Sequence, residues 1–262
     1  MTLLASLVAF AEFGDRITIR ASDRMGLSVN FSPGMAVPTD HSNLAIRAAM
    51  LVTGSRYADI RLDKRIPVAA GLGGGSSDAA TVIRLVEGLW GTPAPDAASL
   101  VALGADVPVC MAGHPALIEG IGERITPVNT VPALDLVLVN PGIPLPTGRV
   151  FQAFAGRGVP ELDMPPETGN VPEFVAWLAG QRNDLEPVAL GLEPEIGRVL
   201  DDVRAARECL LARMSGSGAS CFGIFPGPDA ANAAAARIAA GHPGWWVMPT
   251  RLHPSGSSQL FL

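Results

Sequence analysis

Gly71, Gly73, Gly74 and Gly75 fall within five residues, and Ser76, Ser77 and Asp78 follow at once. Behind them Ala79, Val82, Ile83, Val86, Leu89 and Trp90 recur on one face at helical spacing. A loop almost free of side chains thus feeds into a helix N-terminus. Such a junction offers unpaired backbone N–H groups and the positive end of the helix dipole to an anion. Glycines let a phosphate approach the backbone and supply the positive φ angles of a concave amide nest. No Gly-Lys-Ser/Thr closes the loop, so it is not a Walker A sequence. Gly71-x-Gly73-x-x-Ser76 lacks the third glycine of a dinucleotide fingerprint, and no strand ending in an acid follows at the required distance. The plain alternative is a strand-to-helix turn with Ser76 or Ser77 as N-cap and Asp78 in the first turn. Four glycines exceed what such a turn needs, because each costs backbone entropy.

Two further stretches could carry chemistry. In LGADVPVC, residues 103–110, Asp106 sits in an apolar run ahead of an expected strand. Burial there would raise its pKa and a nearby cation would lower it; a turn or capping aspartate is the other reading. In RMSGSGASCFGIF, residues 213–225, the run Gly216, Ser217, Gly218, Ala219 would let two backbones pass closely, and a hairpin or strand-entry turn explains it equally well. Cys110, Cys209 and Cys221 are odd in number and lack metal-ligand spacing, which fits buried thiols in a reducing cytoplasm.

The elements that must position these residues mix strands and helices without regular alternation. Strands are expected over 16–22, 26–31, 57–62, 107–111, 116–119 and 134–140, and helices over 44–52, 77–90, 96–104, 171–179, 184–190, 193–206 and 230–240. Residues 32–40 read as a loop, 213–225 as a turn feeding a strand, and 247–256 as a strand with a turn. Residues 141–172, rich in Pro and Gly, mark a boundary or a substrate-facing loop. The pattern is α+β in two halves. Hydrophobic residues at 48% against 17% charged indicate a folded core. A net charge of −6 without a basic stripe argues against nucleic acid or anionic lipid as the main partner. No apolar run has the length of a membrane span. The opening MTLLASLVAFAEFGD is apolar, but residues 1–15 hold no Lys or Arg and acids follow at once. It reads as a buried strand or helix running into a Gly14-Asp15 turn rather than as an export signal.

GLGGGSSDAA, LGADVPV and SGSGAS, in that order, resemble the GHMP small-molecule kinases. PVAAGLGGGSSDAA with LGADVPVCMAGHPALIEGIGE is most similar to the branch acting on a cytidine-diphosphate-linked methylerythritol in non-mevalonate isoprenoid synthesis. The likeness runs from about Ser6 to the C-terminus. It implies a two-domain α+β fold: an ATP-binding domain over 1–129, like domain 2 of ribosomal protein S5, and a ferredoxin-like domain over 130–262, with ATP and substrate between them. By resemblance, Pro67, Val68, Ala69, Ala70, Gly71, Leu72, Gly73, Gly74, Gly75, Ser76 and Ser77 wrap the ATP phosphates, and Asn43 and Lys64 lie near the adenine. Asp106 would take the proton of the 2-hydroxyl, Phe151 would stack on the cytosine, and Gly216, Ser217 and Gly218 would shape the pocket. A magnesium ion (Mg2+) would accompany ATP, with Ser76 or Ser77 the best candidate protein ligand. The expected protein is a cytoplasmic monomer or homodimer with a small-molecule substrate.

The family also begins with a strand bearing Ala-Lys-x-Asn and a hairpin with Gly-Tyr-His, and neither stands in this sequence. The expectation is that this segment is missing from the chain and that the chain is a weak or inactive kinase. Another GHMP small-alcohol kinase and a non-catalytic nucleotide-binding protein are the alternatives.

Overall fold

Alternation decides the first sheet. The computed structural model describes residues 4–31, 37–154, 162–167 and 169–252. In β2 (Arg16–Ser22) the isoleucines at 17 and 19 share one face. In β4 (Tyr57–Lys64) Ala58, Ile60, Leu62 and Lys64 do the same, all buried. The strands run antiparallel, with Ile17 opposite Leu62 and Ile19 opposite Ile60. β3 (Gly26–Phe31) pairs in parallel with the other edge of β4, giving the order β2-β4-β3. A parallel neighbour needs a crossover, and α1 (Leu44–Thr53) lies on that connection. Ala45, Ala48, Ala49 and Val52 of α1 pack with Ala79, Val82, Ile83 and Val86 of α2 (Gly74–Trp90) over Ile60 and Leu62. This packing brings the N-terminus of α2 to the end of β4, where Lys64 holds the last inward position.

A second, antiparallel sheet has the order β1-β5-β6, from β1 (Leu4–Val8), β5 (Ala116–Gly120) and β6 (Arg124–Pro127). The opening apolar stretch is therefore a strand, with Ser6 opposite Ile118. Between the first two sheets in sequence lie α3 (Ala97–Leu103) and α4 (Val107–Ala112). The third sheet, order β10-β7-β9-β8, is built from β7 (Leu134–Asn140), β8 (Leu211–Met214), β9 (Cys221–Phe225) and β10 (Trp246–Leu252), all antiparallel. Against it lie α8 (Glu195–Arg204) and α9 (Pro228–Gly241), which bury Ile196, Val199, Leu200, Val203 and Ile238 with Val137, Val139 and Phe225. The shorter α5 (Thr147–Ala153), α6 (Val171–Gly180) and α7 (Glu186–Leu192) precede α8. A smaller cluster of Leu117, Val128, Leu134, Leu136, Phe174 and Ile224 joins the second sheet to the third. The architecture is α+β, as the sequence implied. Among the described residues no helix is long and apolar enough to cross a membrane.

Several expectations need correction. Residues 107–111 form the helix α4, not a strand. Pro108 in its first turn pre-sets helical φ, Gly113 ends it at φ 70°, and the Arg84 guanidinium from α2 donates to the carbonyls of Cys110 and Met111 at 3.0 and 2.6 Å. Those contacts override the β preference of the two valines. α2 starts at Gly74 rather than Ser77, with Gly73 as a left-handed cap and no side-chain cap bond, so neither Ser76 nor Ser77 is its N-cap. The sequence pattern marks none of β6, α5 and β8: β6 is a short pairing after the Gly120–Gly122 turn, α5 lies inside the stretch read as irregular, and β8 takes up residues 213–214 of the expected turn. The expected turn at 253–256 lies outside the described residues, as do 32–36 of the expected loop and 155–161 and 168 of the 141–172 stretch.

Gly223 in β9 is confined: a Cβ there would stand 2.5 Å from Val203 Cγ1 and 2.9 Å from Phe225 Cε2. Gly223→Ala is expected to lower unfolding free energy by about 1–3 kcal/mol in urea titration, with an unchanged m-value. Gly88→Ala, in open space on α2, should act in the opposite direction, by up to about 1 kcal/mol.

Candidate active site

The stretch between β4 and α2 alternates in backbone handedness. Ala69, Gly71 and Gly73 have φ of 53°, 70° and 65°, whereas Ala70 and Leu72 have negative φ. Alternating signs turn successive N–H groups toward one side, which is how a backbone nest for anions is made. Ala69 holds a left-handed conformation that costs about 1 kcal/mol without a glycine. The loop then enters α2, whose first-turn N–H groups have no side-chain cap. Anionic oxygens would satisfy them and meet the positive end of the dipole.

The 215–220 turn is seated directly on this loop. Ser215 Oγ donates to the Gly71 carbonyl at 2.9 Å, and Ser220 N donates to the Ala70 carbonyl at 3.1 Å. A Cβ on Gly71 would lie 2.5 Å from Gly218 O and 2.7 Å from Ser215 O, and one on Gly216 would lie 3.2 Å from Gly71 O. At Gly71 the facing backbone leaves no room for a methyl group, and Gly216 combines a tight contact with a left-handed φ of 53° that favours glycine. The turn is braced from behind. Asn183 Nδ2 donates to Gly216 O at 2.8 Å, and Asn140 Nδ2 donates to Ser220 Oγ at 2.9 Å. Ser217 is buried, and its hydroxyl lies 3.0 Å from Thr147 Oγ1 on α5. Phe151, four residues along α5 and half-buried, shares the helix face of Thr147. Asn140, Thr147 and Asn183 were not singled out in the sequence; an isolated Asn or Thr in a loop carries no signal until its partner's position is known.

Asp106 occupies the cap position of α4, yet its side chain makes no cap bond. The capping reading fails, and the carboxylate is not engaged by its own helix. Burial raises its pKa above the ordinary value of 3.8. The turn before it is packed from two sides. A Cβ on Gly104 would be 3.7 Å from Ser76 Oγ, and any side chain at Gly122 would collide with the Ala105 carbonyl. The start of α2 and the turn between β5 and β6 therefore fix the approach to Asp106. Among the described residues Asp106 has no ion-pair partner.

Lys64 lies at the root of the loop, enclosed by two carboxylates. Its Nζ pairs with Asp15 and, at 2.9 Å, with Asp78 of α2; the three side chains are 5%, 2% and 7% exposed. Burial works to lower the Lys64 pKa, but Asp78 and Asp15 outweigh it and hold the ammonium above its ordinary value. Burial raises Asp78, Lys64 opposes this, and the neighbouring Asp15 charge adds to it, leaving Asp78 at about 7. Two acids around one cation keep a proton that a simple pair would release. Asp78 is thus an internal partner, not a solvent-facing first-turn acid, and neither it nor Asp15 had been assigned to the site. Asn43 caps α1: its Oδ1 accepts from Ala45 N at 2.9 Å and its Nδ2 donates to Pro38 O at 2.7 Å. Burial pushes the Cys110 and Cys221 thiols up to about 12, so both are unreactive at neutral pH. Among the described residues no group of three or more His, Cys, Asp or Glu is arranged to hold a metal.

Comparison with known proteins follows the same residues. The GHMP kinases N terminal domain matches residues 43–116, and the GHMP kinases C terminal domain matches 167–243. The 4-diphosphocytidyl-2-C-methyl-D-erythritol kinase of Cereibacter sphaeroides is 46% identical over 252 residues, covering 95% of this chain and 90% of the relative. That of Dinoroseobacter shibae is 47% identical over 256 residues, covering 95% and 86%. A crystal structure of 4-(cytidine 5'-diphospho)-2C-methyl-D-erythritol kinase superposes with a TM-score of 0.73 at 33% identity, covering 95% of this chain and 90% of the other.

Lys64→Met would leave two buried carboxylates facing each other. Its cost is expected at about 3–5 kcal/mol near pH 8. A carboxyl raised in the fold binds its proton more tightly folded than unfolded, so its relative contribution grows as pH falls through about 7 toward 3.8. Without the cation that uptake is stronger, so the deficit against the parent should shrink at about pH 5. Paired urea titrations at the two pH values check this; an equal deficit at both would contradict it.

Proposed function

The chain belongs to the GHMP kinases, in the 4-diphosphocytidyl-2-C-methyl-D-erythritol kinase family, and from that membership we propose that it transfers the γ-phosphoryl of ATP to the 2-hydroxyl of 4-diphosphocytidyl-2-C-methyl-D-erythritol. The observation that carries the assignment of the site is the seating of the 215–220 turn on the nest at 69–73, at the uncapped start of α2. In this reading the backbone of residues 67–77 wraps the ATP phosphates, with N–H groups offered from Val68 onward because Pro67 has none. Phosphoryl transfer relies on positioning and charge stabilisation, which a fixed amide cradle supplies without reorganising. Asp106, half-buried and not engaged by its own helix, accepts the proton of the attacking hydroxyl. Phe151 presents a flat face for the cytosine ring, beside the pocket wall of Gly216, Ser217 and Gly218. Asn43 and Lys64 border the nucleotide by fixing α1 and the root of the loop.

Mg2+ is part of the proposal. The protein offers the hydroxyls of Ser76 and Ser77 rather than a carboxylate cage, a donor set suited to an ion that keeps most of its waters and is held mainly by phosphate oxygens. When bound it would neutralise charge on the transferring group. The working division is an ATP-binding half over 1–129 and a second half over 130–262, in a cytoplasmic protein of the non-mevalonate isoprenoid route. One observation favours a second reading, nucleotide binding without turnover: among the described residues Asp106 forms no ion pair, and Lys64 is taken up by Asp15 and Asp78.

Asp106→Asn separates the two. The kinase reading expects turnover to fall by about 10²–10⁴-fold while ATP affinity changes less than about threefold. A base must be ionised to act, so kcat/KM should fall on the acid side through a limb above 3.8, displaced upward by burial. Saturable ATP binding with no turnover in the parent chain would favour the second reading. Activity surviving the substitution would remove Asp106 as the base.

A further inference from the structure

Asp15 lies at the end of the link between β1 and β2, 50 residues before the backbone it holds. Its Oδ1 accepts from Arg65 N at 2.5 Å and from Ile66 N at 2.9 Å, the two amides that lead out of β4 into the glycine loop. Its Oδ2 takes the Lys64 ammonium, which reaches on to Asp78 in the second turn of α2. One carboxylate therefore ties together the entry to the loop and, through Lys64, the helix that the loop enters. A Cβ on Gly74 would lie 3.3 Å from Lys64 Nζ, so the ammonium sits directly under the first residue of α2. The link bearing Asp15 is itself anchored on β10. Glu12 N donates to Arg251 O at 2.9 Å and Phe13 N to Thr250 Oγ1 at 3.2 Å. The Phe13 ring lies 5.9 Å from that of Trp246, and the Arg65 guanidinium carbon lies over the Phe13 ring, 4.2 Å from its centre. A continuous path of contacts thus runs from the third sheet through residues 12–15 to the root of the loop.

We infer that Asp15 is a positioning residue for the glycine loop: it fixes the exit of β4 against the start of α2 so that the N–H groups of the loop after Pro67 converge on one anion. Its charge is needed for Lys64 and its acceptor oxygen for Arg65 and Ile66, and the second function survives in an amide. The inference rests on the kinase reading only for the identity of the anion as the phosphates of ATP. Lys64 keeps Asp78 in both variants, but only Asp15→Asn keeps an acceptor for Arg65 and Ile66, so the loop loses less in it than in Asp15→Ala.

The test uses the full chain and both variants. Amide hydrogen exchange is measured without nucleotide, and ATP is titrated for kcat and KM. In Asp15→Ala, exchange at Arg65, Ile66 and the loop amides should rise by about tenfold or more while β7 and β9 keep their protection. KM for ATP should rise by about tenfold with kcat within about threefold, the split expected when binding geometry is lost but the chemistry is not. Asp15→Asn should recover most of the protection at Arg65 and Ile66 and most of the KM. Unchanged loop exchange in Asp15→Ala overturns the inference. So does faster exchange spread evenly over the whole fold, or failure of Asp15→Asn to restore protection. If the parent chain neither binds nor turns over ATP, the kinase reading fails, and the exchange comparison still decides whether Asp15 holds the loop.

Discussion

Two backbones pass in close contact where Ala70 and Gly71 lie under the turn from Ser215 to Ser220. The contact joins segments 144 residues apart in sequence through Ser215 Oγ and Gly71 O. It is possible only because a Cβ on Gly71 would lie 2.5 Å from a facing carbonyl. Much else follows from it. The loop can hold its alternating handedness because its carbonyls at 70 and 71 are already bonded, leaving its N–H groups turned the other way. The turn in its place depends on Asn183, Asn140 and Thr147, which supply polar partners from the third sheet and the helices beside it.

Charge is distributed around this contact with a clear division. The carboxylates here are either buried and tied to Lys64, as Asp15 and Asp78 are, or half-buried and not engaged by their own helix, as Asp106 is. The tied pair lies beneath the start of α2 and serves the shape of the loop. Asp106 lies beside it, reached through Ser76 and the tightly packed turn at residues 104–106. An amide nest with one acid at its margin suits the proposed phosphoryl transfer, because that reaction requires placement and charge compensation more than covalent help.

Much of this was legible in the chain. The isoleucines of RITIRAS and the alternation through Ala58, Ile60 and Leu62 give the first sheet, and the apolar face behind the glycines gives α2. The same alternation, continued two residues, would have put Lys64 on the buried side. What it could not supply is the partner: Asp15 is 49 residues away, and nothing local distinguishes it from an acid at a turn. Residues 107–111 were misread because two valines favour a strand, whereas Pro108 and the reach of Arg84 from α2 settle a helix. Ser76 and Ser77 look like caps and so suggest a start for α2 three residues late, whereas the helix begins at Gly74 without a side-chain cap, as the proposed anion site would require.

The most direct measurement is an ATP titration of the uniformly 15N-labelled chain followed through backbone amide shifts. If the phosphates lie on the nest, the largest shifts fall on Ala69, Gly71, Gly73, Gly74 and Gly75, with a second group at Gly216 and Gly218, all saturating with one dissociation constant. Shifts concentrated elsewhere, with the loop and the 215–220 turn unmoved at saturation, would contradict the account.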